Sequence, residues 1–306
     1  MFRAFFIALS ESRMLRAVAE RSPIGRRLSS RFVAGMSVED ALEATAATNA
    51  RGMTVSVDNL GENVTNLEEA RHSAQLYHDM IDALTARKLD ANVSLKLTHM
   101  GLDIDETVSR TIVGEVVAHA VRRQNFVRID MEGSPYTQKT LDIVRELHRQ
   151  PGNAKRVGAV IQSYLHRSER DVQELCAEGI RIRLCKGAYK EPAEIAFQEK
   201  ADVDANFVKL MRILLKSGTY HGIATHDPKM IDATKDFARS ENIAPDQFEF
   251  QMLYGVRRDL QEQLVRDGWR MRVYIPFGSE WYPYLMRRLA ERPANAIFIL
   301  KNLFRR

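Results

Sequence analysis

From residue 37 the chain alternates short β-branched or apolar runs with longer stretches whose apolar positions recur at helical spacing. The short runs predict strands at Gly52–Val57, Asn92–Leu97, Phe126–Met131, Val157–Gln162, Ile180–Leu184, Gly222–Thr225, Glu249–Leu253 and Met271–Tyr274. Between them, amphipathic stretches predict helices at Glu68–Arg87, Thr107–Arg122, Gln138–Arg149, Arg167–Glu178, Ala201–Lys216, Lys229–Glu241 and Val256–Asp267. A last helix starts near Ser279, tolerates Pro283 in its first turn and stops at Pro293. Its Tyr284, Arg287, Arg288 and Glu291 are spaced i, i+3, i+4, i+7 and so share one face.

Strand-then-helix order calls for a parallel sheet covered by helices, and eight units in roughly 250 residues make an α/β chain with a (β/α)8 TIM-type barrel. A doubly wound open sheet is the alternative, but its G-x-G-x-x-G fingerprint is absent. Residues 1–36 are rich in arginine and poor in acids. That composition superficially resembles a mitochondrial presequence, yet Phe6, Leu9, Met14 or Leu15 and Val18 keep helical spacing. The expected organisation is a helical arm over 1–36 and one catalytic barrel over 37–306.

Composition narrows the class. Apolar residues are 45% and charged residues 28%, as in a soluble protein with a sizeable core. No apolar run reaches the ~20 residues of a membrane span, and the N-terminus is too short a run for a secretory signal. Cys176 and Cys185 sit in no metal or redox spacing, so a reducing, cytoplasmic setting without a bound metal is expected. The formal charge of +5 permits contact with anionic lipid, leaving peripheral attachment at the inner face of a membrane open. Acids and bases are mixed and form no basic stripe, which argues against nucleic acid.

In such barrels chemistry sits at the C-terminal ends of strands. Lys96, Asp130, Arg183 and Gln251 interrupt apolar strands there, and burying such groups costs several kcal/mol unless each is paired or used. Lys186-Gly187-Ala188 suits an ordinary turn or a phosphate cradle. His226 beside Asp227 lacks metal-ligand spacing, and Ser163 has no base at nucleophile spacing. The paired Arg287 and Arg288, backed by Glu291 and next to an aromatic, suit a small carboxylate, since guanidinium forks bind carboxylates bidentately.

Together these positions resemble proline dehydrogenase in its short monofunctional bacterial form. The resemblance runs from Gly52 to Asn295. It rests on Leu60-Gly61-Glu62, Ser94-Leu95-Lys96-Leu97-Thr98, Ile129-Asp130-Met131-Glu132 and Gln162-Ser163-Tyr164. It rests equally on Arg183-Leu184-Cys185-Lys186-Gly187-Ala188-Tyr189, Ala224-Thr225-His226-Asp227, Phe250-Gln251-Met252-Leu253-Tyr254-Gly255 and the Tyr284-to-Glu291 face. Cys185 stands where an aliphatic residue is common. The aldehyde dehydrogenase domain of the bifunctional enzymes is not expected here.

The resemblance implies a distorted barrel, non-covalent FAD, and oxidation of L-proline to Δ1-pyrroline-5-carboxylate by hydride transfer to flavin N5. A quinone is the implied electron acceptor. Arg287, Arg288 and Lys96 would bind the proline carboxylate, and Glu62 would pair with Arg287 as a gate. Tyr189, Tyr274, Tyr284 and Leu253 would pack on the ring. The aromatic at Tyr274 would leave little room for a 4-hydroxyl, favouring proline over 4-hydroxyproline. Arg183 would lie near the flavin N5 edge and Asp130 would orient it or act catalytically. Met131, Gln162, Lys186, Gly187, Ala188, Thr225 and His226 would hold the flavin, and Glu291 would support the arginine pair. The competing readings are a flavoenzyme that oxidises another small cyclic amino acid such as 4-hydroxyproline, and a flavin-free lyase or aldolase using Lys96 as a Schiff-base nucleophile.

Overall fold

The eight strands form in the expected order and close on themselves, every neighbour parallel and β8 hydrogen-bonded back to β1. The computed structural model describes residues 30–61 and 64–291, with side chains described only to residue 286. In chain order the elements are α1 (Val38–Asn49), β1 (Thr54–Asn59), α2 (Leu67–Ala86), β2 (Ala91–Leu95), α3 (Glu106–Arg122), β3 (Val127–Ile129), α4 (Ser134–Arg149), β4 (Val157–Gln162), α5 (Ser168–Ala177), β5 (Arg181–Cys185), α6 (Lys200–Lys216), β6 (His221–Ala224), α7 (Pro228–Ser240), β7 (Phe248–Leu253), α8 (Arg258–Arg266), β8 (Met271–Phe277) and α9 (Trp281–Glu291).

The strands read as nearly continuous apolar runs because both faces are covered: β4 is buried at every position. One large core joins their outward faces to the helices. Local signals set where helices begin. Ser37 and Asp40 form a reciprocal capping box at α1, and Asn66, Asp105 and Asp227 accept backbone N–H bonds at α2, α3 and α7.

Two boundaries differ from the sequence expectation in ways that matter. Strands β2 and β3 stop at Leu95 and Ile129, so Lys96 and Asp130 stand just past the strand ends, on the rim. The Asp130 N–H still donates to Leu95 O at 2.8 Å, which carries the ladder one residue further and fixes the carboxylate's position. Conversely β8 runs on to Phe277, because its register with β1 extends from Thr54↔Arg272 to Asn59↔Phe277.

A helix the periodicity did not reveal, α1, packs on β1 and β8. Its apolar signal is weak: Ala41, Leu42, Thr45 and Thr48 form its buried face, and two of these are polar by type. The eighth strand's own helix, α9, is found elsewhere. Trp281, Tyr282, Tyr284 and Leu285 form a satellite cluster with Phe32, Val33 and Leu60, separate from the main core. Leu60 directly follows β1, so α9 is anchored at the C-terminal rim. The expected distortion of the barrel therefore takes a definite form, with α1 lying on the β8–β1 seam and α9 set apart.

The expected helical arm at 1–36 lies outside the described residues except for its last few, which form turns. There, Ala34 N–H donates to Pro276 O at 2.9 Å and Gly278 N–H to Gly35 O at 3.0 Å, fastening the segment to β8. No helix among the described residues is long and apolar enough to cross a membrane.

Candidate active site

Arg183, near the middle of β5, is 6% exposed and makes four side-chain contacts inside the barrel. Its guanidinium donates to Asp130 Oδ1 at 2.7 Å, Ser94 Oγ at 3.2 Å, Ser56 Oγ at 3.1 Å and Gln251 Oε1 at 2.5 Å. The acceptors come from β1, β2, β7 and the end of β3, so one side chain ties half the barrel together. Asp130 is held from two further directions, by Ser94 Oγ at 2.9 Å and by the Tyr274 hydroxyl at 2.8 Å. Tyr274 also lies under the Arg183 guanidinium, with 5.1 Å between charge and ring centroid. Gln251 gains its room because Gly222 on β6 faces it: a Cβ there would fall 2.3 Å from Gln251 Nε2.

A second buried pair stands beside the first. Lys96 Nζ donates to Asp58 Oδ2 at 3.0 Å, with Asp58 1% exposed at the end of β1. Burial pushes the Asp58 carboxyl up, against the pull of Lys96, and the neighbouring Asp130 adds to the rise. The Tyr77 hydroxyl, reaching in from α2, donates toward Ser94 O at 2.8 Å and Asp58 Oδ1 at 3.2 Å and accepts the Asn59 N–H at 3.2 Å. Burial first, then the Asp58 charge at Tyr77 and the Asp130 charge at Tyr274, holds both hydroxyls protonated at neutral pH.

Around this centre the remaining expected residues fall into three groups. Gln162, Met131, Gly187, Thr225, His226 and Leu253 do gather on neighbouring strand ends. Gln162 Nε2 donates to Met131 O at 3.3 Å, and the Leu253 N–H donates to His226 Nε2 at 2.9 Å. Thr225 Oγ1 accepts the Asp227 N–H at 3.1 Å. Tyr284 is buried in the satellite cluster on α9. By contrast Ala188 and Tyr189 stand on the exposed β5–α6 connection, Tyr189 being 40% exposed rather than packed among the inner residues. Glu62 lies outside the described residues, and so do the side chains of Arg287, Arg288 and Glu291, whose backbone belongs to α9.

Lys186 carries a correction of emphasis. Its ammonium is held by Asp204 at 2.5 Å and Asp227 at 2.7 Å, with Lys200 completing the cluster, so an anion there competes with two carboxylates.

Two observations bear on a flat, hydrogen-bonding cofactor at this mouth. Gln162 Oε1 and the Tyr164 hydroxyl are buried polar atoms with no hydrogen-bond partner, both at the end of β4. Leaving such groups unpaired costs about 1–3 kcal/mol each. Beside them Gly187 has φ +111° and approaches the Tyr164 ring so closely that a Cβ would lie 2.3 Å from it. An amide acceptor, a phenol and an open glycine turn fit a heteroaromatic ring with N–H and carbonyl edges. Among the described residues no group of His, Cys, Asp and Glu could hold a metal ion.

Asp58, Ser56, Ser94 and Tyr77 were not singled out for a role in the sequence, yet they support both ion pairs. Asp58 was visible as a polar strand end. Tyr77 carried no signal, since periodicity assigns its ring to the core and says nothing of its hydroxyl.

Comparison with known proteins supplies a family. The family model described as Proline dehydrogenase matches residues 41–301. The chain is 42% identical over 301 residues to Proline dehydrogenase 2 of Bacillus subtilis (strain 168), covering 98% of each chain. It is 41% identical over 281 residues to Proline dehydrogenase of Deinococcus radiodurans, covering 91% of this chain and 90% of that one. Its fold matches the crystal structure of proline utilization A (PutA) from Bdellovibrio bacteriovorus inactivated by N-propargylglycine, with a TM-score of 0.85 and 26% identity. That match takes in all of this chain and spans 38% of the PutA chain.

Proposed function

The chain belongs to the proline dehydrogenase family, and on that premise we propose that it oxidises L-proline to Δ1-pyrroline-5-carboxylate, the first step of proline catabolism, with FAD held at the C-terminal mouth of the barrel. The observation that carries the reading is the buried Arg183–Asp130–Tyr274 cluster standing next to the Lys96–Asp58 pair. Bound flavin supplies the hydride acceptor, N5. Gln162, Met131, Gly187, Ala188, Thr225 and His226 would hold it, with Lys186 contributing once its carboxylate partners yield.

The protein's own work is positional. Lys96 offers a fixed ammonium, and with Arg287 and Arg288 it would grip the proline carboxylate through charge-assisted hydrogen bonds. Asp58 aims that ammonium, and Tyr77 in turn aims Asp58. Leu253, Tyr274, Tyr284 and Tyr189 would wall the five-membered ring and keep its C–H in line, a form of orientation worth several kcal/mol. Arg183 would present its positive charge to the reacting edge of the flavin, and Asp130, Ser94 and Gln251 keep it from turning away. Glu62 would close over substrate by pairing with Arg287. Electrons would then pass to a quinone, with peripheral contact at a membrane surface.

Two alternatives weaken against the geometry. Lys96 Nζ is held by the Asp58 carboxylate at 3.0 Å, a partner that an attack on a carbonyl carbon would have to displace. The Tyr274 hydroxyl is tied to Asp130 at 2.8 Å, which supports a fixed aromatic wall that would leave little room for a 4-hydroxyl. The deciding experiment is an anaerobic absorbance spectrum of the purified protein before and after L-proline. Flavin bands near ~450 nm that bleach with proline but not with glycine support the reading. A protein that takes up no FAD overturns it.

A further inference from the structure

The opposite, N-terminal mouth of the barrel opens into a cavity of about 730 Å³, lined among others by Asp90, Lys155, Arg181, Tyr220, Arg270 and Arg272. Its charge is unbalanced. Arg181 and Arg270 stack on the same Tyr220 ring, their guanidinium carbons 4.7 and 5.7 Å from its centroid. Arg181 is also 4.5 Å from the Phe126 ring, where the fully buried Arg128 joins it at 4.7 Å. Among the described residues no carboxylate lies within ion-pair distance of Arg128, Arg181 or Arg270.

Of the acids around this mouth, Asp90 and Asp246 make no ion pair with these arginines among the described residues, and Glu249 is already committed: it takes Arg272 Nε at 2.6 Å and the Tyr220 hydroxyl at 2.9 Å. Arg128 spends its NH1 on two carbonyls, Ala159 O and Arg181 O, and leaves its buried Nε without a partner. Ring stacking offsets only part of what desolvating a charge costs. Stacking alone therefore leaves an electrostatic surplus at this mouth, and a cavity in front of it.

We propose that the N-terminal mouth is a second binding site, for a small anion bearing two or more negative charges, gripped by Arg181, Arg270 and Lys155 over the Tyr220 ring. The site is joined to the catalytic mouth through the barrel interior. From Glu249 one branch runs through Gln251 Nε2 (2.6 Å) to Arg183, whose Nε meets Gln251 Oε1 at 2.5 Å. The other runs from Arg272 through Asn92 Oδ1 (3.3 Å) and Ser56 Oγ (2.6 Å) to Arg183 at 3.1 Å. An anion that draws Arg272 or Tyr220 outward thus acts on the same ring of hydrogen bonds that fixes Arg183.

The test is isothermal titration of the FAD-loaded, full-length protein with citrate and, separately, inorganic pyrophosphate, against sodium chloride at matched ionic strength. Saturable one-to-one binding of either anion is expected, weakened at least tenfold in Arg270→Gln and further in Arg270→Gln/Lys155→Gln. Both residues are exposed, so these variants should fold, with proline turnover in the absence of the anion within twofold of the parent. Binding of citrate alone would assign the site to polycarboxylates, and of pyrophosphate alone to phosphoryl groups. Heat no greater than that of chloride, or undiminished binding by the double variant, would overturn the proposal.

Discussion

The two ends of this barrel handle buried cations in opposite ways. At the C-terminal mouth each described cation meets a carboxylate: Arg183 faces Asp130 and Lys96 faces Asp58. At the N-terminal mouth Arg128 and Arg181 meet carbonyls and aromatic rings in place of acids, and among the described residues Arg272 is the one of the three with a carboxylate partner. At the proposed catalytic end the charge is matched, aimed and surrounded by hydroxyl groups. At the other end it is merely tolerated, which is why burial pulls the Arg128 pKa well below its usual range. Matched pairs set a direction for charge, whereas stacked ones leave it available.

Breaking a pair at the active end should give the largest effect. Arg183→Met strands Asp130 and removes four hydrogen bonds, so kcat/KM for proline should fall at least ~1000-fold, about 4 kcal/mol, in steady-state assays. Retained activity would show that Arg183 is only structural. At the other end, Arg272→Met leaves Glu249 buried beside Tyr220 without its cation. Thermal unfolding should show a loss of about 3 kcal/mol while kcat/KM stays within fivefold. A collapse in turnover with the fold intact would mean the two ends cannot be separated.

Protonation sharpens the contrast. Burial, reinforced by Lys96, lowers the His99 pKa to about 4, and burial beside Arg128 and Arg181 lowers that of His221 to about 3. Both rings are neutral in the folded protein and take up protons near 6.5 when unfolded. Their contribution is therefore fully present above pH 6.5 and lost as pH falls toward the folded values. Denaturant titrations between pH 7 and pH 4 should show a decline of about 3 kcal/mol from each histidine, so that the total is roughly halved in His221→Gln. An unchanged slope in that variant would place the loss in other groups. The smallest effect belongs to Tyr77→Phe, which frees Asp58 to turn. KM for proline should rise about three- to tenfold, near 1 kcal/mol, with kcat unchanged; a fall in kcat alone would contradict a positioning role.

Much of this was legible in the sequence, for identifiable reasons. Strands buried on both faces announce themselves as apolar runs, so all eight were found, and polar residues that interrupt such runs (Lys96, Asp130, Arg183, Gln251) had to be used or paired. What stayed hidden were partners whose residue type is ordinary in context. Ser56 and Ser94 pass for strand residues, and Tyr77 passes for core. Helix α1 escaped because half its buried face is threonine, each hydroxyl satisfied by the carbonyl four residues back. No pattern in the chain said that α1 would pack on the β8–β1 seam and leave α9 at the rim.

That arrangement separates the seam of the barrel from the packing of its last helix. The barrel closes through β1 and β8 with α1 packed on that seam. The described side chains of α9 pack instead in a separate cluster with Phe32, Val33 and Leu60. That cluster shares no residue with the hydrogen-bonded ring around Arg183. Loosening so small a cluster should cost less than opening the barrel, so amide exchange in α9 is expected to outpace exchange in β1 and β8.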